Sequence, residues 1–249
     1  MNQSEPHLIF DLDETLIPTT DSYQTAIDEL VRYIQGETTL MASEAKIRET
    51  QNEIDINMID SQGFSIDRFV ESFARTYTQL CVEESIEPEN AHKAEICLIA
   101  EDNVRLSSDQ YQERGWIDPE IPSLLDRLKD MATLSLLTKG DKDAQWRKIE
   151  AMNITEFIPP ERIRVSDRKT DRDFLEMIPR SKMVENSWKI GDSITSDINP
   201  ALSLGLNAVH VEPEVTWNFE EGKLLQPNDS ELRTVSEVTE IESIFLTDE

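Results

Sequence analysis

The feature that most constrains this chain is a short apolar run that ends in acid. Leu8-Ile9-Phe10 is followed at once by Asp11-Leu12-Asp13-Glu14-Thr15. Consecutive large apolar residues fit a strand buried on both faces. A strand ending in acidic side chains sets them at the carboxyl edge of a sheet, where open α/β folds place their ligands. Two carboxylates one residue apart repel each other unless a cation or a shared proton compensates. The stretch therefore asks for a metal or for acid–base work.

From Trp116 the chain alternates strand and helix. Strands are predicted at Leu134 to Leu137, Ile163 to Val165, Trp188 to Ile190 and Ala208 to Val211. Helices fall between them, with Pro122 tolerated in a first turn, Thr170 and Asp173 forming a capping box, and Gly205 as a stop. Such alternation implies a mostly parallel sheet covered by helices.

Between Pro18 and Arg114 no strand-like alternation occurs. Tyr23, Ile27, Leu30, Val31 and Ile34 recur at helical spacing, with Asp21 or Ser22 as a cap and Gly36 as the expected stop. Looser helical sequence runs from about Met41 to Met58. Gly63 breaks it, and Ser65 caps a stripe of Ile66, Phe69, Val70, Phe73, Tyr77 and Leu80. A further helix is expected from Glu89 to Asn103, after the acidic loop Glu83 to Glu89. The tail from Thr216 is acidic and less decipherable, with a last helix anchored by Ile241, Ile244 and Phe245 and a frayed end as equal readings.

Three more stretches join the first. Leu136-Leu137-Thr138-Lys139-Gly140 is an apolar strand ending in a hydroxyl, Lys169 stands just ahead of a helix start, and Gly191-Asp192-Ser193-Ile194-Thr195-Ser196-Asp197 follows the next strand. In order and spacing these resemble the four motifs of the haloacid dehalogenase-like (HAD) hydrolase superfamily. The resemblance covers the core segments end to end. It implies a Rossmann-like α/β core, residues 1–17 and 115–249, with an inserted α-helical cap over residues 18–114.

The resemblance also implies roles. Asp11 would attack phosphorus and form a phospho-aspartyl intermediate. Asp13 would protonate the leaving alcohol and then deprotonate the hydrolytic water. Thr138 would offer its hydroxyl to a phosphoryl oxygen. Lys169 would supply positive charge, helped by its place at a helix N-terminus. Asp192 would bind Mg²⁺ with Asp11 and the backbone carbonyl of Asp13, and Asp197 would be a further ligand or an orienter.

Several positions keep two readings. Lys139 reads first as a loop lysine and second as a substrate-binding residue. Ser193 either caps its turn or lines the site, and Asp197 could cap the helix at Ile198. Arg168 and Lys182 compete with Lys169. Arg48, Arg68 and Arg75 are cap candidates for substrate contact, each with a solvated helix face as the alternative. His7, His92 and His210 share no motif and read as structural.

Within the superfamily, the resemblance implies that phosphatases and phosphomutases keep an Asp at position 13, whereas dehalogenating members do not need it. Hydrolysis of a small phosphorylated metabolite, a phosphate monoester, therefore leads. A phosphomutase, another HAD-type hydrolase and a non-catalytic module binding a phosphorylated ligand are the alternatives.

Charge sets the partners. Lys and Arg number 24 against 51 Asp and Glu, a formal net charge of -27, which argues against nucleic acid and anionic membranes. The segment from Lys139 to Arg172 runs against that trend, with nine basic residues against seven acidic ones. Cys81 and Cys97 belong to no disulfide or metal pattern. No run is apolar enough for a membrane span, and no signal core is evident, so a cytoplasmic protein is expected.

Overall fold

The computed structural model describes residues 5–179, 182–212, 223–225 and 230–245. The start of the chain and much of the tail after Thr216 lie outside the described residues. Two compact units are present, Met1–Thr19 with Ser108–Glu249, and Thr20–Ser107.

The first unit is built on six parallel strands. They are β1 (His7–Phe10), β2 (Thr133–Lys139), β3 (Ile163–Ser166), β4 (Ser187–Gly191), β5 (Asn207–Val211) and β6 (Leu232–Val235), in the order β3-β2-β1-β4-β5-β6. β1 is central, with Phe10 opposite Leu136 on one side and Ile190 on the other. The sheet grows away from β1 in both directions, so a crevice opens at the carboxyl ends of β1, β2 and β4. These three strands carry the first, second and fourth motifs, and Lys169 of the third follows β3. All residues of β1 and β4 are buried, as their largely apolar character requires when helices cover both faces.

Helices of this unit include Ser108–Glu113, Glu120–Leu128, Lys142–Ala151, Asp171–Met177, Asn199–Ser203 and Glu242–Phe245. The stripe Ile121, Leu124, Leu125 and Leu128 is fully turned inward. At the far end, Phe245 meets the Trp188 ring edge-on at 5.2 Å, and Arg127 holds Glu242 through two hydrogen bonds of 2.6 and 2.9 Å.

The second unit is helical, with α1 (Thr20–Glu37), α2 (Glu44–Gln62), α3 (Ile66–Glu83) and α4 (Asn90–Val104). We number the helices of the first unit onward from these, α5 (Ser108–Glu113) through α10 (Glu242–Phe245), in chain order. Phe69, Phe73, Tyr77 and Leu80 of α3 are buried, and Phe69 stacks edge-on with Tyr23 at 4.8 Å. Ser65 caps α3 by accepting from the Arg68 amide, as its sequence position suggests.

The structure departs from the sequence reading in three places. α1 runs through Gly36 to Glu37, because Gly36 keeps helical backbone and has no left-handed φ with which to end the helix. Gly63 does have one, φ 67°, and terminates α2. The helical insertion expected at 18–114 is the unit Thr20–Ser107, since α5 packs on α7 in the first unit. β6 has no counterpart among the predicted strands. Among the described residues, no helix is long and apolar enough to cross a membrane.

Candidate active site

β1 hands the chain directly to the site. The Asp11 amide still donates to the Ile190 carbonyl at 2.8 Å, so its carboxylate is placed by the sheet itself. The next residues fold into a tight turn. Glu14 takes a left-handed φ of 56°, its amide donates to the Ile17 carbonyl, and the amides of Leu16 and Ile17 both donate to the Leu12 carbonyl. Left-handed backbone costs a non-glycine residue on the order of 1 kcal/mol or more. The Glu14 carboxylate offsets this by accepting from the Thr19 amide at 2.7 Å and its hydroxyl at 2.9 Å. The turn points Asp13 away from Asp11, and Thr15 donates to Asp192 at 3.4 Å.

Asp11, Asp192 and Asp197 each offer a carboxylate oxygen, and these oxygens lie within 4.8 Å of one another. Two lysines thread the cluster. Lys169 Nζ is 2.7 Å from Asp11 Oδ1 and 2.6 Å from Asp197 Oδ1, while Lys189 Nζ is 3.0 Å from Asp197 Oδ1. Both lysine side chains are at most 1% exposed. Burial, then the charge of Asp197, pushes Asp11 above the usual carboxylate range. Burial, then Asp11 and Asp197, pushes Asp192 up to about 8. Burial would raise Asp197 too, but the two ammonium groups overcome it and hold that carboxylate at about 2. Lys169 is raised because Asp11 and Asp197 outweigh its desolvation, whereas Lys189 is lowered by burial and by Lys169.

The motif after β4 has a steric reason. A Cβ on Gly191 would lie 2.6 Å from Asp197 Cγ, so only glycine lets Asp197 fold back under the strand end. A widened turn, Ile194–Ile198, carries Asp197 inward, with its amide donating to the Ser193 carbonyl at 2.9 Å. Ser193 caps that turn by accepting from the Ser196 amide at 3.0 Å. Asp197 makes no cap hydrogen bond at Ile198, and its carboxylate faces the lysines instead.

The cluster fits a hard divalent cation. All its donors are carboxylate oxygens. Asp197 Oδ2 is buried without a hydrogen-bond partner. Asp11 and Asp192 are both pushed upward by burial and by the neighbouring charge of Asp197, so the cluster is short of positive compensation.

The Asp13 side chain is not in this cluster. It faces α7, where Lys148 Nζ donates to Oδ1 at 2.6 Å and Gln145 Nε2 donates to Oδ2 at 2.6 Å. Gln145 also donates to Thr138 Oγ1 at 2.9 Å and to the Lys139 carbonyl at 2.7 Å. Neither Gln145 nor Lys148 belongs to any of the four sequence motifs. Lys139 reaches across to the Ser196 hydroxyl at 2.8 Å, so it belongs to the site's rim and is not a loose loop lysine. His210 also proves local, its Nε2 lying 2.9 Å from the Asp192 carbonyl.

One expectation needs correcting. The helix after Lys169, α8 (Asp171–Met177), offers no N-terminal anion site. Its start is closed by the Thr170–Asp173 capping box, and Asp171 and Asp173 already complement its dipole. Arg48, Arg68 and Arg75 are engaged inside the helical unit, with Asp28 and Glu44, with Asp55, and with Glu71.

No protein-family model and no curated protein matches the chain. Solved structures do. A haloacid dehalogenase-like family hydrolase from Xanthomonas campestris superposes with a TM-score of 0.73 at 16% identity, over 99% of this chain and 94% of its own. A HAD-hydrolase from Bacillus subtilis, described as bound to magnesium, gives 0.62 at 18% identity, over 97% and 99%. A HAD phosphatase from Thermococcus onnurineus gives 0.54 at 18% identity, over 96% and 97%. Dehalogenases also match. Strand order, site position and these likenesses agree that the chain has the fold of the haloacid dehalogenase-like hydrolases.

Proposed function

We propose that this chain is a phosphatase that hydrolyses a small phosphate monoester with Mg²⁺ bound. The observation that carries the reading is the pairing at the end of β1. Asp11 lies against Lys169 at 2.7 Å, while Asp13 is turned to a separate polar face. One carboxylate is thus set as a nucleophile and the other as a proton carrier. The helical unit Thr20–Ser107 is, in this reading, the cap that the sequence resemblance implies.

In the first step an Asp11 carboxylate oxygen forms a bond to phosphorus as the ester P–O bond breaks, and Asp13 gives its proton to the departing alkoxide. Lys169 and the Thr138 hydroxyl face the phosphoryl oxygens and offset their charge. In the second step Asp13 takes a proton from water, which attacks phosphorus. The Asp11–phosphorus bond breaks, releasing inorganic phosphate. Asp11, Asp192 and Asp197 would hold Mg²⁺, which supplies positive charge to the phosphoryl oxygens. The magnesium described for the Bacillus subtilis protein supports that choice of ion.

The test is turnover of 4-nitrophenyl phosphate and a panel of small phosphate esters with and without Mg²⁺. Asp11→Asn is expected to lower kcat by on the order of 10³-fold or more with the fold intact by circular dichroism. A wild-type protein inactive on the whole panel that still binds phosphate esters, with Asp11→Asn binding equally, makes it a binding module. Chloride release from a 2-haloacid makes it a dehalogenase.

A further inference from the structure

We propose that Gln145 and Lys148 of α7 are positioning residues for the reaction just described. They clamp the Asp13 carboxyl from both sides and turn the Thr138 hydroxyl proton toward the phosphoryl group. The inference rests on the phosphatase reading.

α7 (Lys142–Ala151) is set in place by Asp141, whose side chain accepts from the Ala144 amide at 2.9 Å. Gln145 and Lys148 are three residues apart, hence on one helix face. That face meets the carboxyl ends of β1 and β2. Gln145 is 2% exposed and Lys148 6%, so both bear the desolvation cost of a buried polar group and neither is a surface residue. Each Asp13 oxygen receives one donor at 2.6 Å, Oδ1 from Lys148 and Oδ2 from Gln145. A carboxyl gripped at both oxygens has lost its rotation about the last side-chain torsion.

Gln145 does a second thing. The Asp13 carboxylate and the Lys139 carbonyl are both acceptors only, so the amide nitrogen, not the oxygen, must face them. Thr138 Oγ1, 2.9 Å from that same nitrogen, can only accept from it, sharing one of the two amide hydrogens, because an amide nitrogen does not accept. Its own hydrogen stays available for donation, and phosphate is what a buried threonine at this strand end would donate to. Gly140 makes room for this. At φ 134°, a Cβ there would lie 3.3 Å from Gln145 Nε2.

A purely structural pair would also hold α7 to the sheet, so the test must separate anchoring from positioning. Protonation of the leaving group matters for a strongly basic alkoxide and little for nitrophenolate. For Lys148→Met and Gln145→Leu, kcat/KM is measured on ethyl phosphate and on 4-nitrophenyl phosphate. The expected result is a loss of about 10²-fold on the alkyl ester and about threefold or less on the aryl ester through the acid. Gln145→Leu should add an equal loss on both through Thr138. Lys148→Arg should recover much of the alkyl activity. In an Asp13→Ala background Lys148→Met should cost almost nothing further, since the two act as one unit. Equal losses on both esters for Lys148→Met, or full additivity with Asp13→Ala, overturn the proposal. Thermal melts identify a variant that fails to fold, and Lys148→Arg then decides by the same ratio. A wild type inactive on both esters overturns the phosphatase reading, and this proposal with it.

Discussion

At Gly191 the space that a side chain would need is already filled by the Asp197 carboxylate, with Asp197 Cγ 2.6 Å and Cβ 2.8 Å from an added Cβ. Asp197 is short, fully buried and held by Lys169 and Lys189, so it has nowhere to retreat. Gly191→Ala is expected to destabilise the protein by about 1–3 kcal/mol through overpacking. It should also weaken Mg²⁺ binding, because Asp197 is displaced from Asp11 and Asp192. Thermal melting and a calorimetric Mg²⁺ titration check both, and an alanine variant with unchanged melting and unchanged Mg²⁺ affinity would refute the steric argument. Lys189 belongs to the same account. A lysine in the middle of a buried strand is costly unless it meets an anion, and Asp197 is that anion. Asp197 therefore serves two lysine cations and still presents one free oxygen to the cluster.

Strand β1 is tied to β2 by more than its ladder, since His7 Nε2 lies 2.8 Å from Ser135 Oγ in a fully buried position. Burial first, then Arg162 and Lys182, lowers His7 from 6.5 to about 4. The folded strand thus holds a neutral imidazole while the unfolded chain takes up a proton below pH 6.5, so the unfolded state binds more protons across that window. Stability contributed by His7 is complete above pH 6.5 and declines as pH falls toward 4, by about 2 kcal/mol between pH 7.5 and pH 5. Urea midpoints at those two pH values should fall more in wild type than in His7→Leu, and equal falls would disprove it. Elements differ in how much of the fold and site they make readable from sequence. β1, β2 and β4 announce themselves, because apolar runs such as Leu8-Ile9-Phe10 end in the residues that do chemistry. β6, Leu-Arg-Thr-Val, is an edge strand with two exposed residues, and its pattern is lost in an acidic tail. Gln145 and Lys148 are invisible for a different reason. On a helix as polar as α7 they look like a solvated face, and only the docking of that face onto two strand ends gives them partners.

At the scale of the whole molecule, charge outweighs every local contact in reach. With 51 acidic residues against 24 basic ones, a net charge of -27, more than half of the carboxylates have no basic side chain to pair with. The ion pairs on the surface, such as Arg48 with Asp28 and Arg75 with Glu71, are mostly local and engage only a fraction of 51 acidic residues. Self-repulsion of this kind opposes the compact state and is long-ranged, so it responds to ionic strength. The Debye length shrinks from about 30 Å at 0.01 M salt to about 8 Å at 0.15 M, which removes repulsion across the molecule while leaving the buried Lys169–Asp11 and Lys189–Asp197 contacts almost untouched. Adding NaCl over that range should therefore raise Tm by a few degrees, each kcal/mol of relieved repulsion being worth roughly 2–4 °C in a chain of this length. The gain should level off at higher salt, once screening is complete, and a glutamate-to-glutamine variant on the exposed surface should reduce it. A Tm that stays flat or falls as NaCl is added would mean that local pairing already cancels the acidic surface, and the repulsion would then have no bearing on stability.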